Sequence, residues 1–299
     1  MNILVSTDET YVFQTLVMLE SLFSTNEGDI KVYALLRNVN DRCKKWMKKY
    51  VEQRGHFLKI INIEDSDYGI IGADRYSEAI KSTHHLTMAA YNRLLCTVKL
   101  DEKIDRVIYL DSDMIITKSL SELYSQDLDE YAAAVVEGFT FIDFDYMLLA
   151  NNDVERTKAT IKFAQQFRRQ NNIEFGAKYF NSGMMVINLD YLRKHDFVSR
   201  VKKHIMEHEC TADADQSVLN VVIKDEVKYV PQIFNCRPSD YDKRNKAFLE
   251  MQPYILHYGV KPWNDYKTIM GNKWWKYAFK TDKKVAARML VKCIKNTSE

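Results

Sequence analysis

Val107-Ile108-Tyr109-Leu110-Asp111-Ser112-Asp113 is an apolar run of strand length that ends on two carboxylates. Branched and aromatic side chains favour the pleated, buried surface of a strand. Residues i and i+2 of an extended chain point to the same side, so Asp111 and Asp113 can turn oxygens toward one point. Two carboxylates brought together without a counter-charge raise each other's cost of ionisation. A hard divalent cation removes that cost, and Mg²⁺ or Mn²⁺ favours such oxygen donors. The spacing alone is equally compatible with a solvated turn, so the surrounding sequence has to decide.

Working outward, short apolar runs alternate with amphipathic stretches. Ile3–Ser6, Ile30–Leu36 and Phe57–Ile63 read as strands, while Tyr11–Ser24, Arg42–Gln53 and Thr87–Leu100 carry helical spacing. Farther on, Ala132–Val136 and Met184–Asn188 read as strands, and Val154–Gln170 and Tyr191–Glu209 as helices. Such alternation predicts an α/β fold with a mostly parallel, doubly wound central sheet. Ligands of these sheets bind beyond the carboxyl ends of the strands, where both Thr7-Asp8 and Asp111–Asp113 fall. A chain of 299 residues fits one large domain with a tail. Its 43 basic and 41 acidic residues give a net charge of +2, which supplies no basic face for nucleic acid. The five cysteines are odd in number and form no CxxC pair, which predicts reduced thiols and a cytoplasmic protein. Acidic residues enter at Asp8 and Glu9, too early for a signal peptide. No run of about 18 apolar residues predicts a membrane span.

Further polar blocks follow in order. Ser6-Thr7-Asp8-Glu9-Thr10-Tyr11, Tyr91-Asn92-Arg93-Leu94, Asp111-Ser112-Asp113, Asn181-Ser182-Gly183, Asp215-Gln216 and His257-Tyr258-Gly259-Val260-Lys261-Pro262-Trp263 occupy residues 1–265. This ordered set resembles glycosyltransferase family eight, which includes bacterial lipooligosaccharide galactosyltransferases and glycogenin. The resemblance implies a nucleotide-diphospho-sugar transferase (GT-A, Rossmann-like) fold over residues 1–265. It implies a retaining hexosyltransferase that moves glucose or galactose from a UDP-sugar to a glycan, glycolipid or glycoprotein, with Mn²⁺ or Mg²⁺ as cofactor. By the same resemblance, Asp111, Asp113 and His257 are the metal ligands. Ser6, Asp8, Thr10 and Tyr11 hold the uracil and ribose. His85, Leu86, Arg93 and Ser112 contact the donor, and Gly259 and Lys261 contact its diphosphate. Asn181, Asp215 and Gln216 surround the donor sugar, with Gln216 beneath the developing oxocarbenium ion. One departure is the spacing from His257 to Lys261, which is shorter than is usual in that family and bears on Gly259 and Lys261.

Each block also has a plainer reading. Asp8 is suited to cap a helix, Arg93 to a solvated helix face, Gln216 to orienting a neighbour, and Ser182 to a structural role. Two rival functions share the paired aspartates: a metal-dependent nucleotidyltransferase, which releases pyrophosphate, and a non-catalytic nucleotide-sugar-binding subunit. Residues 266–299 form a basic C-terminal tail in which Trp274, Trp275, Tyr277, Phe279, Val285, Met289, Leu290, Val291 and Ile294 lie among lysines and arginines. An amphipathic helix of this kind suits peripheral contact with an anionic inner membrane face, or else packs on the domain.

Overall fold

The structure is a computed structural model that describes residues 1–77, 87–140, 162, 165–174, 176–209, 213–238 and 251–298. Seven strands form the central sheet in the order β3-β2-β1-β4-β7-β6-β8. They are β1 (Asn2–Asp8), β2 (Lys31–Arg37), β3 (Phe57–Asn62), β4 (Arg106–Leu110), β6 (Ala133–Thr140), β7 (Lys178–Asn188) and β8 (Val227–Tyr229). Pairings among β3, β2, β1 and β4, and between β6 and β8, are parallel. Among the described residues, only β7 runs antiparallel to its neighbours in this sheet, β4 and β6. A second, two-stranded sheet joins β5 (Met114–Ile116) to β9 (Ile255–His257). The mostly parallel α/β sheet expected from the alternating pattern is present.

Both faces of the sheet are buried, which explains the near-continuous apolar runs. Leu4, Tyr33, Leu35, Val107 and Tyr109 point into one core. Their neighbours Ile3, Val5, Val32, Ala34, Ile108 and Leu110 point into the other. Helix α1 (Val12–Phe23) is buried around most of its circumference, since Val12 through Leu19 are all covered. It lies between the sheet and the C-terminal helices, so it has no polar face to keep. Helix α2 (Asp41–Glu52) shows the opposite pattern. Asn40 caps it by accepting from Cys43 N at 2.9 Å, and only Met47, Tyr50 and Val51 are buried.

Several expected elements differ in detail. Residues Thr87–Leu100 form a 3-10 segment over Met88–Leu95 and one α turn over Cys96–Lys99, not a continuous α-helix. Nearly every side chain of Met88–Leu95 is buried. The helix expected over Tyr191–Glu209 breaks at Asp196, whose φ of 50° is left-handed. It becomes Leu189–Lys194 and α3 (Phe197–Glu207). Helix α4 (Asp215–Val222) follows. Most of the helix expected over Val154–Gln170 lies outside the described residues.

The tail is two helices, α5 (Gly271–Thr281) and α6 (Lys283–Ser298). Helix α5 packs on α1, and Trp274 is fully buried with Phe13, Val17 and Ile115 in one cluster. The outer face of α6 leaves Val291 and Ile294 exposed. Among the described residues, no helix is long and apolar enough to cross a membrane. Cys43, Cys96 and Cys293 are free thiols, and Cys210 lies outside the described residues.

Candidate active site

The carboxyl ends of β1 and β4 face one cleft of about 270 Å³, lined by Ser6, Asp8, Tyr11, Arg93, Asp111, Ser112, Asp113 and Lys261, among others. Asp8 ends β1 and caps the short 3-10 turn Glu9–Tyr11. Its Oδ1 accepts from Thr10 N at 3.0 Å and from Thr10 Oγ1 at 2.5 Å. The turn carries the Tyr11 ring into the cleft, edge-on to Trp263 at 6.0 Å. Ser6 Oγ donates to Ala89 O at 2.6 Å and ties β1 to the 3-10 segment. Ser112 shares a buried hydroxyl contact of 2.8 Å with Thr15 on α1.

Asp111 and Asp113 lie in the turn from β4 to β5. The pairing of β5 with β9 sets Met114 opposite His257, which delivers the histidine to the same turn. His257 Nε2 lies 3.3 Å from Asp113 Oδ1 and 3.9 Å from Asp111 Oδ2. One ligand atom from each of Asp111, Asp113 and His257 can be chosen so that all lie within 4.8 Å of one another. Asp113 Oδ1 is buried and accepts no hydrogen bond from the described residues. Against the cost of burial, His257 and Lys261 hold the Asp113 carboxyl well below the usual carboxylate range. An orphaned, ionised oxygen beside a second carboxylate and an imidazole fits a divalent cation. Lys261 Nζ donates to Asp113 Oδ2 and to Tyr258 O, the latter at 2.7 Å.

Arg93 is buried, contrary to a solvated helix position. Its guanidinium donates to Asp111 Oδ1 at 3.0 Å and to Ser182 O at 2.6 Å, and pairs with Asp215 Oδ2 at 2.9 Å. It also lies 4.1 Å from the centre of the Tyr109 ring. Against burial, the two carboxylates raise its already high pKa further. Asp215 at the start of α4 responds oppositely: burial pushes it up to about 7, with Arg93 pulling the other way.

Asn181, Ser182 and Gly183 do not precede their strand but lie inside β7. The register of β7 with β6 jumps between Val135↔Met185 and Val136↔Asn181, so Ser182, Gly183 and Met184 face no β6 partner. Such a bulge re-aims side chains beside a site. Gln216 Oε1 accepts from Asn181 Nδ2 and from Ser182 N, both at 3.0 Å. Its amide oxygen is therefore engaged with the strand. Gly259 is exposed in the loop before Lys261. His85 and Leu86 lie outside the described residues.

Three contributors were not singled out from the sequence. Tyr109 OH donates to Asp111 Oδ1 at 2.8 Å, so Tyr109 and Arg93 both occupy that oxygen and leave Oδ2 facing His257. Its place in the quoted strand, two residues before Asp111, was the available signal. A Cβ added at Gly183 would sit 2.5 Å from His257 Cε1 and 2.7 Å from Asp111 Oδ2. Only glycine lets the strand approach so closely. Asn235 bridges Asn181 and His257, and nothing in Phe234-Asn235-Cys236 marks it.

The family model for Glycosyl transferase family 8 matches residues 2–267. General stress protein A of Bacillus subtilis is 26% identical over 283 residues, covering 88% of this chain and 87% of that protein. A putative glycosyltransferase of Haemophilus influenzae is 26% identical over 267 residues, covering 86% and 71%. Among solved structures, the galactosyltransferase LgtC in complex with donor and acceptor sugar analogs superposes with a TM-score of 0.71 at 19% identity, covering 94% of this chain and 96% of that one. That likeness establishes the GT-A fold. With the family match spanning nearly the whole chain, the protein belongs to glycosyl transferase family 8 and is a glycosyltransferase.

Proposed function

We propose that the protein transfers a hexose, glucose or galactose, from a UDP-sugar to a glycan, glycolipid or glycoprotein acceptor, with retention of configuration. The observation that carries this reading is the Asp111–Asp113–His257 set at the end of a cleft that also holds Asp8 and Tyr11. Asp8 and Tyr11 bind the nucleoside, with Ser6 and Thr10 supporting them. Asp111, Asp113 and His257 hold Mn²⁺ or Mg²⁺. Such an ion, when bound, neutralises the charge that develops on a departing diphosphate. Lys261 adds a mobile positive charge to the same leaving group, and the exposed Gly259 gives its loop room to close. Arg93 orients Asp111 and Asp215 together, and Asn181, Asp215 and Gln216 line the donor sugar. Gln216 acts there through the positions of Asn181 and Ser182, since its oxygen is bonded to both. No far-side carboxylate base is needed for retention; the family resemblance and the commitment of the paired carboxylates to metal support same-face attack. The LPS 1,2-glucosyltransferase of Escherichia coli, 27% identical over 202 residues, supports a glycolipid among the acceptors. The basic outer face of α6, with Val291 and Ile294 exposed, suits peripheral binding to an anionic membrane.

The test is a panel of nucleotide sugars with Mn²⁺, scored for release of UDP against pyrophosphate. UDP release from UDP-glucose or UDP-galactose, abolished by EDTA and by Asp113→Asn, is expected. Pyrophosphate release, full activity in EDTA, or faster turnover of a GDP- or ADP-sugar overturns the reading. The anomeric proton coupling of the product tests retention, and a β-linked product from an α-linked donor refutes it.

A further inference from the structure

Two backbone amides of β7 decide which nitrogen of His257 is available to a metal. A backbone N–H can only donate. Gly183 N donates to Asn181 Oδ1 at 3.2 Å, and Ser182 N donates to Gln216 Oε1 at 3.0 Å. Both side-chain amides are thereby fixed in orientation. Asn181 turns its oxygen toward Gly183 and its Nδ2 toward Gln216 Oε1 at 3.0 Å. Asn235 is 1% exposed and lies between Asn181 and His257. Opposite the oxygen of Asn181 it must present Nδ2, at 2.8 Å. That choice leaves its Oδ1 facing His257 Nδ1 at 3.0 Å. An acceptor opposite Nδ1 requires a proton there. The nitrogen facing the two carboxylates is Nε2.

We infer that Asn235 is a positioning residue that holds the proton of His257 on Nδ1, so that Nε2 is the nitrogen offered to a divalent cation. The relay runs in one direction, His257 to Asn235 to Asn181 to Gln216, and each amide accepts from one partner while donating to the next. Hydrogen-bonded partners of a metal-binding histidine fix its tautomer and ring angle, and their loss commonly weakens metal binding by about 10- to 100-fold. Asn235 itself is anchored at both ends. Its N donates to Gln232 O at 3.1 Å, and the following Cys236 N donates to Ile255 O at 3.0 Å. The same relay links the metal-facing histidine to the residues assigned to the donor sugar, so a disturbance at Asn235 reaches both. The consequence for metal binding rests on the function proposed above; the tautomer assignment does not.

The test uses the full chain. Manganese affinity is measured from the electron paramagnetic resonance of free Mn²⁺ for wild type, Asn235→Ala and Asn235→Asp, with thermal melts alongside. Asn235→Ala is expected to lose about 10- to 100-fold in Mn²⁺ affinity. Asn235→Asp is expected to recover only part of that loss, because a carboxylate accepts the same Nδ1 proton but sets an oxygen against Asn181 Oδ1. Equal affinity of Asn235→Ala and wild type overturns the inference. Nitrogen-15 spectra of histidine-labelled wild type, metal-free and with Mg²⁺, provide a second readout that needs no variant to fold. A proton-bearing Nδ1 on His257 is expected in both, and a bare Nδ1 with the proton on Nε2 refutes the assignment. Wild type that binds no Mn²⁺ while showing a protonated Nδ1 sinks the metal reading and leaves the role of Asn235 standing.

Discussion

Replacing Gly183 with alanine is the smallest change that challenges the whole metal-facing set. The added Cβ would lie 2.5 Å from His257 Cε1, 2.7 Å from Asp111 Oδ2 and 3.0 Å from Asn181 Oδ1. None of these is a free chain end. Asp111 is held through Oδ1 by Tyr109 and Arg93, His257 by Asn235, and Asn181 by Gly183 N and Gln216. A relaxed carbon–carbon contact of about 3.5 Å requires the imidazole to retreat by about 1 Å. Metal sites keep their ligand distances within about 0.2 Å, so the displaced ring can no longer complete the set. Overpacking of a filled interior costs about 1–3 kcal/mol of stability, which a domain of this size survives. Gly183→Ala should therefore fold, lose about 100-fold or more in Mn²⁺ affinity, about 2.7 kcal/mol, and lose UDP release in proportion. Urea melts, Mn²⁺ titration and a donor-hydrolysis assay on one preparation separate the two effects. A folded Gly183→Ala protein with wild-type Mn²⁺ affinity would show that these three residues do not form the ion's cage.

Lys261→Met should bind Mn²⁺ more tightly in the absence of nucleotide, because the ammonium no longer claims Asp113 Oδ2, and should bind UDP more weakly in Mn²⁺. Each change should be roughly tenfold, the scale of one charge-assisted hydrogen bond, and calorimetry with either ligand reads it. Trp274→Ala, at a fully buried position, should cost about 3–5 kcal/mol in urea unfolding, and truncation after Met270 should destabilise the domain instead of merely detaching a tail. Burial, with His208 stacked at 4.3 Å, pushes His204 down to about 4. A histidine depressed in the fold contributes stability that is complete above about pH 6.5 and is lost as pH falls through about 4. His204→Gln should therefore flatten the acid limb of a stability–pH curve between those values, and an unchanged limb would remove His204 from the account.

The half of the sheet built from β1, β2, β3 and β4 was legible because burial on both faces writes continuous apolar runs, and because α1 and α2 separate the first three strands. The second half was harder. Asn181-Ser182-Gly183 stands just before an apolar run in the sequence, yet it is bulged strand, kept extended by β4 on one side, where Asp111 N donates to Gly183 O at 2.9 Å. Only the neighbouring strand could reveal that. Asp111, Asp113 and His257 were found through type and order, while Asn235 was not, because a single asparagine in a loop carries no periodic or spacing signal. Its role exists only once β9 is paired and Asn181 lies opposite. Arg93, assigned to the donor by resemblance and suited in the plainer reading to a solvated helix face, is buried, since two carboxylates far apart in sequence compensate its charge. In the tail, aromatics among lysines fitted either an anionic membrane face or packing on the domain, and the packing of Trp274 against α1 depends on residues hundreds of positions away.

The pairing of β5 with β9 carries a consequence for biosynthesis. Met114 and His257 meet in that ladder, yet the ribosome makes them far apart in time. The early strands β1 to β4 can assemble from neighbouring segments as they emerge, and they already present Asp111 and Asp113. The histidine follows only after β6, β7 and β8 have been made, and the closing contact is non-local, the kind that is slow to form. Nascent chains that have not yet reached His257 thus carry a half-built pocket. Capture of a divalent ion can then act as the final latch, favouring the closed ladder by mass action over any intermediate that lacks it.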